Sequence, residues 1–219
     1  MKTAFTKKKA YEDIRYRIIT QKLAPGALLK DKDLMDQYGI GRTPLREIII
    51  DLQKEGLINR VPRAGTWVAP MDFTFLKQIT EIRIGLEGIA GELAAERISQ
   101  EQVEELACIL EKVSKLEMEE TLNSEELITY ESQFHNVIYT ATKNEKLEIL
   151  LKNYQSIGAR FWHYVAYNRE ELFKQFESQR RMLQAIQKRD KINCKKIMEE
   201  HIRDYIDIID QRLNQIHDV

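Results

Sequence analysis

All four prolines lie at or before Pro70, and residues 71–219 contain none. Proline inside a helix removes a backbone donor and collides with the preceding turn, at a cost of about 3 kcal/mol. A long stretch that avoids it, and is rich in Leu, Ile, Glu and Lys, is free to be helical from end to end. The first 70 residues read differently. Pro25-Gly26, Gly39, Gly41, Pro44, Pro62 and Gly65 punctuate short apolar runs, which is the pattern of short elements joined by turns. The spacing therefore predicts two domains, 1–70 and 71–219.

In the first domain, Ile14, Ile18 and Ile19 form a stripe that predicts a helix over about Lys9–Gln21, broken by "LAPGALL". A second helix, about Asp31–Tyr38, turns Leu34 and Met35 inward, and Gly39 suits the left-handed residue that ends it. Ile40 is the lone apolar residue of the turn and is expected to plug the core. Thr43 is the expected cap of a third helix and Pro44 its first residue. Leu45, Ile48, Ile49 and Leu52 face inward, while Ile50 falls off that stripe and is expected against the hairpin or another domain. Two β-prone runs, Leu57–Val61 and Thr66–Val68, flank a Pro-Arg-Ala-Gly turn in which Gly65 supplies the permissive backbone. Helix, helix, tight turn, helix and hairpin make a winged helix-turn-helix.

A helix N-terminus favours acidic side chains, yet the third helix opens with Arg42 and Arg46. That placement implies an anion opposite them. In a winged helix the anion is DNA, with the third helix in the major groove. Arg42 and Arg46 would fork onto guanine or grip phosphate, and Thr43 would meet phosphate or a thymine methyl. Lys32 would neutralise phosphate at the start of the second helix, and Arg63 and Gly65 would follow the minor groove at the wing tip. The charge agrees in sign. Residues 1–70 carry 14 Lys+Arg against 8 Asp+Glu, although the whole chain is at −1. A positive face of this kind serves polyanions.

In the second domain the periodicity predicts six helices, about Phe75–Ser99, Gln100–Glu119, Ser124–Thr142, Glu145–Tyr167, Arg169–Arg189 and Lys191–His217. They form an antiparallel all-α bundle whose inward side chains build a ligand site. In the first of them Gly85, Gly88, Ala90, Gly91, Ala94 and Ala95 are small enough to let another helix approach closely. The fold class is thus mainly α: a winged helix-turn-helix of three helices and a small β-hairpin, followed by a six-helix bundle.

Cys108 and Cys194 make no metal motif or disulfide framework and fit a reducing cytoplasm. No stretch reaches 18 apolar residues, so no membrane span is expected, and "MKTAFTKKKA" has no apolar run after it and is not a signal peptide. Two other function classes compete with DNA binding: a metal-dependent enzyme on the bundle, and a winged helix used for protein interaction. Against the enzyme, the chain has no H-E-x-x-H, no Glu-x-x-His pair, no phosphate-cradling glycine loop and no nucleophile elbow.

"LMDQYGIGRTPLREIIIDLQKEGLI…PRAGTWVAP" resembles the winged helix of GntR-type bacterial transcription regulators. "LKQITEIRIGLEGIAGELAA", "ESQFHNVIY" and "MLQAIQKRD…KKIMEEHI" resemble the helical effector domain (FCD) of the FadR subfamily, and six helices place the chain nearer its VanR-like branch. The resemblance spans nearly the whole chain. It implies a cytoplasmic, homodimeric, ligand-responsive regulator of transcription, most often a repressor, that binds a palindromic operator and answers to a small carboxylate effector. It assigns DNA contact to Lys32, Arg42, Thr43, Arg46 and Gly65; the basic residue usual before the wing glycine is here Ala64, with Arg63 one earlier.

The same resemblance implies one divalent metal (Zn, Ni or Mn) on Glu131, His135 and His201. Glu131 stands where the family has Asp, and Gln179 stands where it has a third histidine. Glu131 and His135 are four apart and share a helix face, whereas an amide oxygen is a poorer donor than imidazole. Three readings stay open: a weakened metal site, a metal-free polar pocket that binds effector through His135, Gln179 and His201, or two histidines satisfied within the core. Arg83 and Arg160 are further effector-binding candidates; for Arg83 the alternative is an ion pair with Glu87.

Overall fold

The structure is a computed structural model that describes residues 6–121, 124–165 and 169–217, with side chains up to residue 213 in the last helix. Among these residues it is mainly helical. Three helices, α1 (Lys7–Ile19), α2 (Asp31–Tyr38) and α3 (Arg42–Lys54), precede two strands, β1 (Ile58–Val61) and β2 (Gly65–Val68). Six helices follow: α4 (Phe73–Arg97), α5 (Gln100–Met118), α6 (Ser124–Ala141), α7 (Glu145–Tyr164), α8 (Arg169–Gln187) and α9 (Lys191–His217). Tyr167, the end expected for α7, lies outside the described residues. The chain divides into two compact units. One comprises residues up to Phe73 together with Ser156–Tyr164; the other comprises Thr74–Gln155 and the residues from Val165 onward.

The first unit is a winged helix-turn-helix. Ala10, Ile14 and Ile18 of α1, Leu34 of α2 and Leu45, Ile48, Ile49 and Leu52 of α3 pack into one core with Leu57, Ile58 and Val68 of the hairpin, and Ile40 lies against it. Helix α1 starts two residues before its expected first residue because Thr6 accepts a hydrogen bond from the Lys9 N–H and caps it. Gly39 ends α2 at φ 63°, a left-handed turn that glycine adopts without strain. The α3 start differs from expectation. Gly41, extended at φ −81° and ψ 179°, is the N-cap, and no side chain caps the helix. Thr43 and Pro44 therefore fall inside the first turn, where the backbone N–H groups have no helical partner and proline costs nothing. Ile50, off the apolar stripe as read from the sequence, is 40% exposed.

In the wing, β1 and β2 pair antiparallel from Ile58 opposite Val68 to Val61 opposite Gly65. Leu29 donates its N–H to the Thr66 carbonyl, and the Val68 N–H reaches the Ala27 carbonyl, so the segment before α2 covers the other edge of β2. Arg63 takes the left-handed conformation at φ 63°. Gly65, at φ 148°, lies where a Cβ would stand 3.0 Å from the Trp67 ring.

The second unit is a helical bundle. Leu106 and Val113 of α5, Phe134 and Ile138 of α6, Phe176 and Ile186 of α8, and Ile202 and Ile209 of α9 are buried. Ser99 and Gln102 form a reciprocal capping box at the start of α5. The small residues of α4 act as expected toward α9. A Cβ on Gly91 would meet the Cys194 carbonyl oxygen at 2.6 Å, and one on Gly88 would meet Glu199 Oε1 at 2.6 Å. Gly85, by contrast, has nothing within 4 Å.

Candidate functional site

Two sets of side chains carry chemistry, one in each unit. In the winged helix, Arg42 and Arg46 lie four residues apart in the first turns of α3, so they share a face. Both are exposed, as are Thr43, Lys32 in the first turn of α2, and Arg63 at the wing tip, while Gly65 is half-buried. The acids of α3 are engaged elsewhere: Glu47 pairs with Lys7 at 2.6 Å, and Asp51 lies 3.8 Å from Lys54. Among the described residues, Lys32, Arg42, Arg46 and Arg63 have no acidic partner within 4.0 Å. Their positive charge is left facing solvent.

The second set is buried in the bundle. Helix α6 supplies Glu131 and His135 on one face, and α9 supplies His201. His135 Nε2 stands 3.0 Å from Glu131 Oε1 and 3.1 Å from His201 Nε2, and His201 Nε2 stands 4.0 Å from Glu131 Oε1. One ligand atom from each of the three lies within 4.8 Å of the others. Burial would raise the Glu131 carboxyl, but His135 and then His201 outweigh it and hold it far below the usual carboxylate range. Burial lowers His201 against the pull of Glu131. The cluster is thus an ionised carboxylate beside two imidazoles with little water around them.

A small cavity opens beside it, lined by Phe134, His135, Ser178, Gln179, Met182, Ile197, Met198 and His201. Gln179 of α8 is 3% exposed, and neither its amide oxygen nor its amide nitrogen has a hydrogen-bond partner among the described residues. Buried polar atoms without partners are rare, so Gln179 marks a place where a further group fits. The donor set suits a divalent cation. Bonds of about 2.0–2.2 Å to nitrogen and oxygen put tetrahedral neighbours about 3.3–3.6 Å apart, a range that the separations of 3.0, 3.1 and 4.0 Å bracket.

Ser178, Tyr139 and Glu87 were not legible as site residues in the sequence. Ser178 Oγ lies 2.7 Å from His201 Nδ1, and Tyr139 Oη lies 3.2 Å from His135 Nδ1 and donates to Glu87 Oε1 at 2.6 Å. The one available signal is that Tyr139 follows His135 by four on the same helix face.

Two residues offered as effector contacts are placed differently. Arg83 takes the ion-pair alternative: its Nε donates to Glu87 Oε1 at 2.9 Å and its Nη2 reaches Tyr139 Oη at 3.4 Å, all buried. Arg160 is not with the cluster. It is in the first unit, is 3% exposed, and donates to the Ala69 carbonyl at 2.6 Å. Its aromatic neighbours in sequence disguised this, because they are core residues: Phe161 and Trp162 are buried, and Phe161 packs edge-on against Phe73 at 5.0 Å.

A winged helix with unpaired cations on its leading helix, on the same chain as a helical bundle enclosing an imidazole–carboxylate cluster, defines a DNA-binding protein with a ligand-binding domain. Residues 6–68 match the family described as "Bacterial regulatory proteins, gntR family", and residues 78–204 match the FCD domain. The chain belongs to the GntR family and carries an FCD effector domain: it is a DNA-binding regulator of transcription. It is 27% identical over 208 residues to the HTH-type transcriptional regulator McbR of Escherichia coli (strain K12), covering 93% of this chain and 92% of McbR. It is 25% identical over 193 residues to the uncharacterized HTH-type transcriptional regulator YdhC of Bacillus subtilis (strain 168), covering 87% and 85% of the two chains. The solved structure of E. coli McbR/YncC superposes with a TM-score of 0.82 at 26% identity, over 94% of this chain and 98% of that one. These relatives are regulators of transcription, and the enzyme reading finds no support among them. Among the described residues, no helix is long and apolar enough to cross a membrane.

Proposed function

We propose that the chain is a cytoplasmic, homodimeric repressor. In this reading residues 1–70 bind a palindromic operator, while residues 71–219 bind a small carboxylate effector and hold the dimer. Lys32, Arg42, Thr43, Arg46, Arg63 and Gly65 contact DNA. Glu131, His135 and His201 hold one divalent ion (Zn, Ni or Mn), and Gln179 faces the effector. The observation that carries this is the convergence of two imidazole nitrogens and an ionised carboxylate beside an unpartnered buried amide. When bound, the ion supplies open coordination positions for carboxylate or hydroxyl oxygens. The chain's own residues orient that ligand: Gln179 offers an amide NH2 to donate and an amide oxygen to accept, and Phe134, Met182, Ile197 and Met198 exclude water from its apolar side. Effector binding then shifts the population between forms that differ in operator affinity.

A metal-free pocket is the second reading, and the unpartnered Gln179 amide favours it, because an amide recognises organic oxygen and nitrogen better than it ligates zinc. Elemental analysis of protein purified without chelator or nickel resin separates the two. Near one divalent ion per chain supports the metal site; no ion after incubation with Zn, Ni and Mn sinks it in favour of direct binding. Operator affinity measured against salt tests the DNA reading, since each neutralised phosphate contributes about 0.9 to the log–log slope. A flat salt response would instead mark a protein-interaction winged helix.

A further inference from the structure

The hydrogen bonds around the two histidines fix where their protons sit. Ser178 has one hydroxyl proton, and its Oγ lies 2.7 Å from the Gln175 carbonyl, which can only accept. Ser178 therefore donates there. Its contact of 2.7 Å with His201 Nδ1 must then be one in which the ring nitrogen donates. Tyr139 is held in the same way. Its single proton goes to Glu87 Oε1 at 2.6 Å, an oxygen that also takes the Arg83 Nε–H. Its contact of 3.2 Å with His135 Nδ1 is then a donation from the ring.

A neutral imidazole with a proton on Nδ1 has a bare lone pair on Nε2. Both Nε2 atoms face the same point, 3.1 Å apart, next to Glu131 Oε1. Two lone pairs and a carboxylate in contact repel one another unless a positive charge sits among them. A positive charge at that point removes the repulsion: either a proton on Nε2, which His135 can donate to Glu131 Oε1 at 3.0 Å, or a metal ion that replaces it.

We infer that Ser178 and Tyr139 are positioning residues that lock His201 and His135 with Nδ1 protonated and Nε2 bare, so that one cation is held by both rings and Glu131. The inference rests on the metal reading above for its purpose, but not for its geometry. It extends the site through Glu87 to Arg83, which holds the Glu87 oxygen that fixes Tyr139. Outer hydrogen bonds of this kind are worth about 10- to 100-fold in metal affinity.

Two measurements on the full chain test it. In the metal-free protein, long-range nitrogen NMR of labelled histidine reports which ring nitrogen bears the proton. Protonated Nδ1 is expected in both rings, and a bare Nδ1 in either one overturns the assignment for that ring. Zinc affinity is then measured with the ion alone, by competition with a chelating dye. Ser178→Ala and Tyr139→Phe should each bind about 10- to 100-fold more weakly, while Ser178→Thr, which keeps the hydroxyl, stays near the parent. A variant with parental affinity removes its residue from the role. If the parent binds no divalent ion, the metal reading fails, and the NMR result alone upholds or overturns the positioning.

Discussion

Arg46, near the start of α3, is exposed and has no acidic neighbour within 4.0 Å among the described residues. Arg83, in the middle of α4, is 5% exposed and holds Glu87 at 2.9 Å, with Glu87 wholly buried. The difference follows from solvation. An exposed guanidinium keeps its water and loses little by having no partner, so it is available to a polyanion. A buried one has given up that water, and only a close carboxylate with satisfied hydrogen bonds offsets the loss. Arg160 shows the strained middle case. It is buried with a carbonyl for a partner, and burial pushes its pKa down to about 10. The winged helix keeps its functional charge outside its core. The bundle has built its functional charge into the core, so function and stability should be separable in the first unit and entangled in the second.

The sharpest way to break this contrast is to remove Glu87. Glu87→Leu leaves Arg83 buried without its carboxylate and frees Tyr139 to donate elsewhere. The expected loss is about 3–5 kcal/mol, or a fall in Tm of about 6–20 °C for a chain of this size. Replacing both partners, Arg83→Leu with Glu87→Leu, should recover most of that loss, because an apolar pair leaves no orphaned charge. Thermal melts of the four species close the cycle. A double variant no more stable than Glu87→Leu would show that the pair stabilises the fold through more than mutual neutralisation.

Arg46→Ala should do the opposite. Stability should stay within about 0.5 kcal/mol, because nothing buried depends on the side chain. Operator affinity should fall by about 1–3 kcal/mol if the arginine reads a base, with relaxed specificity at that base; a phosphate contact would instead lower the salt slope by about 1. Paired melting and DNA-titration curves test it. Unchanged operator affinity would remove α3's first turns from the DNA interface, and a large drop in Tm would erase the distinction between the two units.

How much of this was legible in sequence differs between the units for the same reason. The winged helix is written in local signals: Gly39 at a left-handed turn, apolar residues at helical spacing, and the hairpin around Gly65 all act within a few residues. The misplaced α3 start shows where local rules stop. Thr43 is a good capping residue by type, yet the chain leaves Gly41 extended and caps the helix with no side chain. In the bundle, Glu131 and His135 were reached through the family resemblance, which their spacing of four on one face of α6 supports. His201 was reached through the same resemblance, with no local spacing to support it. Ser178 was not reached, and Glu87 was reached only as the partner of Arg83, because they approach the histidine cluster from other helices, 23 residues from His201 and 48 from His135. Arg160 misled for the converse reason: its aromatic neighbours in sequence say nothing about which unit the end of α7 packs into.

The finest version of the contrast lies within α4, where one substitution meets three environments. Glycine to alanine inside a helix gains about 0.5–1 kcal/mol when the new methyl has room. Gly85 has that room, with nothing within 4 Å of a built Cβ, so Gly85→Ala should stabilise by that amount. At Gly88 the methyl meets Glu199 Oε1 at 2.6 Å. Glu199 Cγ also stands at 2.9 Å, so the glutamate must rotate from its base; that cost offsets the helix gain, and the change should be near neutral. At Gly91 it meets the Cys194 carbonyl oxygen at 2.6 Å. A helix backbone cannot step aside without moving α9, and overpacking of this kind costs about 1–3 kcal/mol. Gly91→Ala should therefore be net destabilising, and it should also disturb His201, which α9 carries. Denaturant midpoints at constant m-value order the three. If Gly91→Ala proved as stable as Gly85→Ala, α4 and α9 would not be in the close packing that holds His201 against α6, and the convergence on Glu131 would lose its structural basis.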